Sequence, residues 1–477
     1  MLFQKDVSVC REYDVVVAGG GPSGLGAAVA AARKGLKTLL VEGNGCIGGT
    51  ATAGALPFML GATTGSIPFP HMIRLGLQYK DLPHPRKAVG GIFDQFIERV
   101  KAQHGGVGPM KLAQTGMHPG LDRLGCHDEF TFDLETGKRV LDEMVLESGA
   151  DVLYYTHALY PRLENNRIKG IYISNKSGIQ FVPCRVIIDC TGDADMVERA
   201  GYETYKGDRE TGEMTGAGLV AHMECVDAAA VEAYLKDGND PWFRDICRKA
   251  AADYTGPLTD LPSLLILFPM VQEGVFMVNG GTSRNGIDGT NGDDMTRLTL
   301  WGRQRARYLE EHLFRRYMPG GQHSRLRLTA AYPGIRETRR IVGDYTLTEE
   351  DLLNGRRFED TIALAGRHFD LSRGKRADDN PSQPFADRHL SVKGGVTAIP
   401  YRALIPAGSV DMLAAGRCIA ADGQALGPAR IMSTCMAVGE AAGTAAYFKL
   451  AQNIPFRDVE YAALRADLRQ NGAEVDV

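Results

Sequence analysis

The chain has 477 residues, 44% of them hydrophobic and 23% charged, so it is long enough to bury two connected cores. A formal net charge of −4 argues against a nucleic acid or an acidic membrane as partner, because both favour a basic protein surface. The nine cysteines form no Cys-x-x-Cys pair, so their spacing predicts neither a metal site nor a dithiol redox motif.

One apolar stretch, residues 15–32, resembles a membrane segment in composition. Gly and Pro at positions 19–22, 24 and 26 interrupt it, so we expect no membrane span. The preceding residues 11–14 (REYD) do not form the basic start of a signal peptide. We therefore expect a cytoplasmic location, which also suits reduced cysteines.

The first predicted elements form a βαβ unit near the N-terminus. A β-branched run over 13–18 predicts a buried parallel strand, and an Ala-rich run over 23–34 predicts a helix that ends at Gly35. A second strand is predicted directly afterwards, over 37–42.

Further elements follow along the chain. An antiparallel ribbon is predicted from strands over 168–174 and 179–183 around a turn at 175–178. The other predicted elements are helices over 135–148, 294–317 and 432–451, and strands over 151–156, 186–190 and 412–415. Segments 61–125 and 373–395 are rich in Gly, Pro and charge and are predicted to be long loops or lids.

These elements predict an α/β protein with two domains. A discontinuous Rossmann-like domain is expected over 1–220 and 390–477, because the strand and helix pattern of the N-terminal part returns near the C-terminus. A smaller α+β domain over 221–389 is expected to bind the substrate.

The run Gly19-Gly20-Gly21-Pro22-Ser23-Gly24 has the spacing G-x-G-x-x-G between a predicted strand and a predicted helix. Gly19 permits the tight turn, Gly21 lets a pyrophosphate approach the helix N-terminus, and Gly24 permits close packing. Glu42, which closes the next strand, is placed to accept hydrogen bonds from ribose hydroxyls. The alternative is a glycine-rich turn of another α/β protein, and the four features together favour a dinucleotide.

NAD and FAD share this motif, and three further features indicate FAD. The doublet Gly48-Gly49 follows Glu42 after a short loop, and Thr191-Gly192-Asp193 follows the predicted strand over 186–190. The run 412–416 (MLAAG) precedes a helix bounded by glycine.

With these motifs the chain resembles the FAD-dependent oxidoreductases of the glutathione-reductase-like superfamily, nearest the fumarate reductase and succinate dehydrogenase flavoprotein branch. The resemblance covers most of the chain. Residues 334–345 (GIRETRRIVGDY), 399–402 (IPYR) and 415–419 (AGRCI) are typical of the sparsely characterised FAD-dependent oxidoreductases within that branch.

The resemblance implies a set of cofactor contacts. Glu42 would hold the adenosine ribose, and Gly48 to Thr52, including Gly49 and Thr50, would pass beside the isoalloxazine. Thr191 and Gly192 would pass the adenine side, and Asp193 after them is a further cofactor-binding candidate. Gly416 to Asp422 would approach the pyrophosphate and ribityl chain. Gly427 to Met432, including Arg430 and Ile431, would open a helix over 433–450 whose N-terminal amides stabilise negative charge at the flavin N1/O2 edge.

Two departures from the family pattern carry further expectations. Relatives often have an acidic residue where Arg417 stands, so the ribityl contact is expected to shift to Asp422. No histidine occurs in 50–54 (TATAG), where succinate dehydrogenases attach the flavin, so noncovalent FAD is expected. Cys46 in the same loop is a candidate for a thioether, although an inert buried thiol is the more common case.

Candidate catalytic residues come from the family-like stretches. Arg336, Arg402 and Arg430 are candidates to hold substrate oxygens or a carboxylate, and each has a structural salt bridge as its alternative. His368 and Tyr401 are candidates for proton transfer, while an isolated histidine is more often a structural residue.

The predicted function is hydride transfer between a small polar organic substrate and flavin N5, with electrons passed to an external acceptor such as oxygen or a quinone. No second Rossmann motif for NAD(P)H is evident in the sequence. Two alternatives stay open: a flavin-dependent isomerase or mutase without net redox, and a flavoprotein subunit that is inactive without a partner.

Overall fold

The computed structural model describes residues 6–63, 86–107, 130–209, 211–240, 242–279, 281, 283–366 and 395–476. The strands in chain order are β1 (Ser8–Val9), β2 (Tyr13–Ala18), β3 (Thr38–Val41), β4 (Phe58–Met59), β5 (Gly106–Val107), β6 (Phe130–Phe132), β7 (Asp151–Leu153), β8 (His157–Glu164), β9 (Arg167–Asn175), β10 (Gly178–Asp189), β11 (Thr204–Lys206), β12 (Ala217–Gly218), β13 (Ala221–Glu224), β14 (Ile266–Pro269), β15 (Phe276–Asn279), β16 (Ser283–Arg284), β17 (Arg325–Thr329), β18 (Arg339–Ile341), β19 (Thr361–Ala365), β20 (Thr397–Pro400) and β21 (Met412–Ala414).

The α-helices in chain order are α1 (Pro22–Arg33), α2 (Ile92–Ala102), α3 (Leu134–Ser148), α4 (Asp195–Arg199), α5 (Ala228–Lys236), α6 (Arg244–Ala252), α7 (Gly292–Tyr308), α8 (Arg315–Tyr317), α9 (Glu349–Leu353), α10 (Leu426–Ala429), α11 (Met432–Gln452) and α12 (Tyr461–Gln470). A π-helical segment, Leu309–Phe314, joins α7 to α8. Among these described helices, none combines the length and apolar character needed to span a bilayer.

The main sheet has the strand order β7-β3-β2-β10-β9-β8. The pairs β7–β3, β3–β2 and β2–β10 are parallel, and β21 also pairs parallel with the end of β10. The first half of β10 pairs antiparallel with β9, so one strand belongs both to the parallel sheet and to the ribbon. The predicted α/β class and the predicted strand over 13–18 are confirmed.

Helices α1 and α11 pack against each other in parallel, because small residues let their backbones approach. An added Cβ at Gly26 would lie 2.2 Å from the carbonyl oxygen of Met436, and one at Gly439 would lie 1.9 Å from that of Ser23. Both positions therefore require glycine. The register of these contacts puts the N-terminus of α11 at the same edge of the sheet as the N-terminus of α1.

A second sheet, β14-β15-β13-β17, is antiparallel throughout. One of its faces packs on helices around a buried cluster that includes Met223, Val231, Cys247 and Leu309. The opposite face approaches the loop after the glycine doublet through Leu328, which packs with Ala55. An antiparallel sheet with its helices on one face is an α+β arrangement, as expected for the smaller unit.

Some sequence predictions differ from the structure. The predicted strands over 179–183 and 186–190 form one strand, β10. Residues 92–102, predicted to lie in a loop, form α2, which buries Phe93 and Phe96 against the main core. That core also includes Ile341 and Leu364 from the segment assigned to the smaller domain, and the exact domain boundaries stay a prediction.

Candidate functional site

The carboxyl ends of four parallel strands meet at one edge of the main sheet. The glycine run follows β2, Glu42 follows β3, Thr191-Gly192-Asp193 follows β10, and Gly416-Arg417 follow β21 by one residue. Ligands of open α/β sheets bind at this edge. The structure therefore brings together the predicted cofactor residues of four separate motifs.

The glycine run forms a turn directly into α1, with Pro22 in the first turn and Ser23 buried. Gly24 packs on Gly19, since an added Cβ would lie 1.9 Å from the Gly19 carbonyl oxygen. At Gly21 the situation is opposite, because an added Cβ would meet no atom within 4 Å. This open space in front of a helix N-terminus fits the pyrophosphate of a dinucleotide.

Glu42 is buried beside this turn, with 6% of its surface exposed. Its Oε2 accepts a hydrogen bond from the Gly20 amide at 2.7 Å, and its Oε1 accepts one from the Asn44 amide at 2.7 Å. Oε1 also accepts a hydrogen bond from the Asn44 side-chain amide at 2.8 Å. A carboxylate offers about four acceptor positions, so these three bonds orient Glu42 and leave about one position for a ribose hydroxyl.

The loop from Gly48 to Thr52 lies against the glycine run. The Gly48 amide donates to the Gly20 carbonyl at 2.7 Å, and Gly48 has a φ of 113°, which favours glycine. Gly49 and Thr50 belong to a short 3₁₀ turn, and Thr52 closes it by donating to the Ile47 carbonyl at 2.7 Å. The predicted flavin loop is thus held against the predicted pyrophosphate loop.

Arg417 and Asp193 form an ion pair at the same edge, with 2.7 Å between Arg417 Nη2 and Asp193 Oδ1. Arg417 Nη1 also donates to Thr338 Oγ1 at 2.8 Å. Burial opposes the charge of Arg417, but Asp193 outweighs it and the pKa of Arg417 is raised. Arg417 is therefore held as a cation against Asp193 at the predicted cofactor edge.

Asp422, expected to take over the ribityl contact, has backbone partners. Its Oδ2 accepts from the Glu349 amide, and its Oδ1 accepts from the amides of Gln424 and Ala425 at 2.9 and 2.8 Å. These bonds shape the turn into α10, so the contacts that the structure gives Asp422 are structural.

The predicted helix over 433–450 is present as α11, with Met432 as its first residue and Ile431 as its N-cap. Gly427 lies in α10, and Arg430 joins the two helices. Twenty-one residues of aligned peptide dipoles place a partial positive charge at this N-terminus. The arrangement suits a site for negative charge, with Arg430 adjacent in the chain.

Two contacts tie the second sheet to the flavin loop, and sequence reasoning missed both. His222 Nε2 donates to the Ala55 carbonyl at 2.8 Å, and burial lowers the pKa of this histidine, which keeps it neutral. The amides of Ala331 and Tyr332 donate to the Ala53 carbonyl at 3.0 and 3.1 Å. A lone histidine in a strand gives no sequence signal for such a contact.

The catalytic candidates are not all near this edge. Arg336 lies in the segment that follows Tyr332 and donates through Nη1 to the Gly216 carbonyl at 2.8 Å. Tyr401 is fully buried and donates to the carbonyl of Phe456 at 3.0 Å, and Phe456 follows the C-terminal end of α11. His368 lies outside the described residues.

The position of Phe456 argues against catalysis by Tyr401 and Arg402. Helix α11 has 21 residues and is therefore about 30 Å long. Tyr401 lies at its C-terminal end, whereas the predicted flavin lies at its N-terminal end. Arg402, the next residue, binds the buried carboxylate of Asp360 through Nε and Nη2 at 2.9 and 3.1 Å. Through these contacts both residues stabilise the fold away from the edge of the main sheet where the cofactor is predicted.

We therefore predict that Arg402→Lys leaves the FAD content and the rate of flavin reduction unchanged and lowers the free energy of unfolding by about 1–2 kcal/mol. The physical reason is that an ammonium group cannot bind both oxygens of Asp360 in the planar geometry of a guanidinium. Denaturant unfolding measures the stability, and stopped-flow absorbance measures reduction. A slowed reduction with normal stability would restore Arg402 to the site.

Comparison with known proteins agrees with this geometry. The family described as FAD dependent oxidoreductase matches residues 14–468. A digeranylgeranylglycerophospholipid reductase of Methanoculleus marisnigri is 27% identical over 231 residues, which are 48% of this chain and 50% of that protein. A dihydrolipoyl dehydrogenase of Trypanosoma brucei brucei is 47% identical over 57 residues, 12% of each chain. The chain thus spans half, or less, of the length of these two relatives.

Among solved structures, a geranylgeranyl bacteriochlorophyll reductase-like protein of Thermoplasma acidophilum is similar over 97% of this chain and 84% of its own, with a TM-score of 0.43 and 15% identity. An anhydrotetracycline hydroxylase of Streptomyces rimosus is similar over 97% of this chain and 68% of its own, with a TM-score of 0.44 and 13% identity. Since the family match extends over nearly the whole sequence, the protein belongs to the FAD dependent oxidoreductases.

Proposed function

We propose that the protein catalyses hydride transfer between a small polar organic substrate and the N5 position of FAD, with electrons passed to an external acceptor. FAD supplies the hydride acceptor when it is bound. The observation that supports this proposal best is the closeness of three segments. Ser433 in the first turn of α11 donates to the Leu60 carbonyl, and Gly49 lies against Gly21. His222 of the second sheet donates to the Ala55 carbonyl, three residues after Thr52. A reaction site between two units can exclude water and orient a substrate.

Arg336 and Arg430 are the charged groups that we propose for substrate binding. Arg336 follows a segment that is hydrogen-bonded to Ala53, while Arg430 immediately precedes Ile431, the N-cap of α11. A planar guanidinium binds two oxygens of a carboxylate or neighbouring hydroxyls. The two cations Arg336 and Arg430 therefore support the proposal of a substrate that carries oxygen atoms.

An external electron acceptor is proposed because the described residues contain one parallel sheet with a dinucleotide edge. Oxygen and a quinone are the acceptors considered. The proposed placement nearest the fumarate reductase branch is supported by sequence motifs alone, and a cytoplasmic location stays a prediction.

The proposed function is tested by anaerobic mixing of the purified protein with alcohols, amines, acids and sugars. Loss of the absorbance of oxidised flavin near roughly 450 nm with one substrate class supports hydride transfer. Turnover without bleaching would replace the proposal with an isomerase or mutase. Anaerobic re-oxidation of the chemically reduced flavin by a digeranylgeranyl lipid alone would replace the polar substrate with the type named for the Methanoculleus marisnigri relative.

The flavin is expected to be released from the yellow protein by acid precipitation. A covalent histidyl link is not available in 50–54 (TATAG), and Cys46 Sγ instead donates weakly to Thr52 Oγ1 at 3.6 Å. Absorbance of the supernatant and of the redissolved pellet measures the distribution. Flavin that stays in the pellet would show a covalent bond, and mass spectrometry of the Cys46 peptide would locate it.

A further inference from the structure

Tyr332 combines exposure with desolvation. Its side chain is 37% exposed, yet burial raises the pKa of its hydroxyl to about 12. A phenol keeps its proton at neutral pH, and the raised pKa only extends this range. The Tyr332 hydroxyl is therefore available as a hydrogen-bond donor.

The segment that carries Tyr332 crosses the carboxyl edge of the main sheet. The Tyr332 amide donates to the Ala53 carbonyl beside the flavin loop. Six residues later, Thr338 Oγ1 donates to Asp193, which follows β10, and accepts from Arg417, which follows β21, at 2.8 Å. Tyr332 therefore lies at the edge where the pyrophosphate and ribose of a dinucleotide bind.

The backbone on both sides of Tyr332 is held in place. The Ala330 amide donates to the Val220 carbonyl at 2.9 Å, and the Gly334 amide donates to the Gly218 carbonyl at 2.7 Å. The Tyr332 amide itself donates to the Ala53 carbonyl, next to the flavin loop. These backbone hydrogen bonds fix the position of the ring, and the hydroxyl of Tyr332 takes no part in them.

Within the described part of the chain, the Tyr332 hydroxyl makes no hydrogen bond to another residue. A dinucleotide at this edge carries pyrophosphate and ribose oxygens, which are strong acceptors. We propose that Tyr332 donates a hydrogen bond to the pyrophosphate or adjacent ribose of FAD and covers the cofactor from the side of the second sheet. The segment that borders the substrate would then also hold the cofactor.

The test compares wild-type and Tyr332→Phe apoproteins titrated separately with FAD and with ADP. Both dissociation constants are expected to rise about tenfold, because one hydrogen bond to a charged oxygen is lost from the part that the two ligands share. Tyr160→Phe is the matched control: this tyrosine is 59% exposed on β8 and should leave both constants unchanged. Calorimetry measures ADP binding, and quenching of flavin fluorescence measures FAD binding.

Unchanged FAD and ADP binding in Tyr332→Phe would overturn the inference. Weaker FAD binding with normal ADP binding and a shifted flavin spectrum would also overturn it, since the contact would then be to the flavin half. Tyr332→Phe keeps the ring and removes only the hydroxyl, so a loss of affinity in this variant does not come from lost ring packing. Tyr332→His keeps a ring donor and is expected to recover part of the affinity, and equal weakness of both variants would count against a donor role. ADP binding requires no redox step, so these results are independent of the proposed hydride transfer.

Discussion

Glu42→Arg is expected to give a colourless protein, whereas Glu42→Gln is expected to retain part of its FAD. The Glu42 carboxylate accepts bonds from the amides of Gly20 and Asn44. An arginine has five donors and no acceptor, so its N–H groups would meet the N–H groups of these amides. The buried cation would also have no carboxylate partner. Glutamine keeps one oxygen acceptor and loses the other, which costs about 1–3 kcal/mol of binding.

The ratio of flavin to protein absorbance after purification measures this difference, and titration of the apoproteins with FAD gives the dissociation constants. Far-ultraviolet circular dichroism and thermal unfolding provide the folding control for both variants. Equal FAD retention by Glu42→Arg and Glu42→Gln would remove Glu42 from the ribose site.

Much of the nucleotide-binding unit could be predicted because its signals are local. The βαβ unit is present nearly as predicted, since a β-branched run, a glycine turn and an Ala-rich helix each act within a few residues. The division of β10 into two predicted strands was wrong, because pairing with β9 and then with β2 depends on distant residues. Helix α2 was missed although its apolar residues recur at helical spacing, because the surrounding segment 61–125 was predicted as a loop from its Gly, Pro and charge content.

The same distinction between local signals and distant contacts applies to the residues of the candidate site. Motifs that end parallel strands converge because topology carries every such end to one edge of the sheet. Tyr401 and Arg402 were made catalytic candidates from a family-like stretch, but Tyr401 donates to Phe456, whose amide binds the Val410 carbonyl ahead of β21. Tyr332 and His222 have no motif, and only tertiary packing brings them to the flavin loop.

Gly21→Val is expected to yield a folded protein that binds FAD at least about a hundredfold more weakly than wild type. The backbone at Gly21 has a φ of −64° and a ψ of −176°, which valine can adopt. An added Cβ at Gly21 meets no atom within 4 Å apart from its chain neighbours, so folding is expected to be preserved. The same space is where the pyrophosphate approaches the amides of α1, and the valine methyl groups would occupy it.

Gly24→Val provides the contrast, since its Cβ would lie 1.9 Å from the Gly19 carbonyl oxygen and the turn would have to move. This variant is expected to lose stability as well as FAD. Gly292→Val is the matched control, because Gly292 also faces open space but lies at the start of α7. Thermal unfolding of the apoproteins and titration with FAD separate the three outcomes. Normal FAD binding by Gly21→Val would mean that the pyrophosphate does not approach this turn, whereas unfolding of Gly21→Val alone would show that the space in front of α1 is filled by the protein itself.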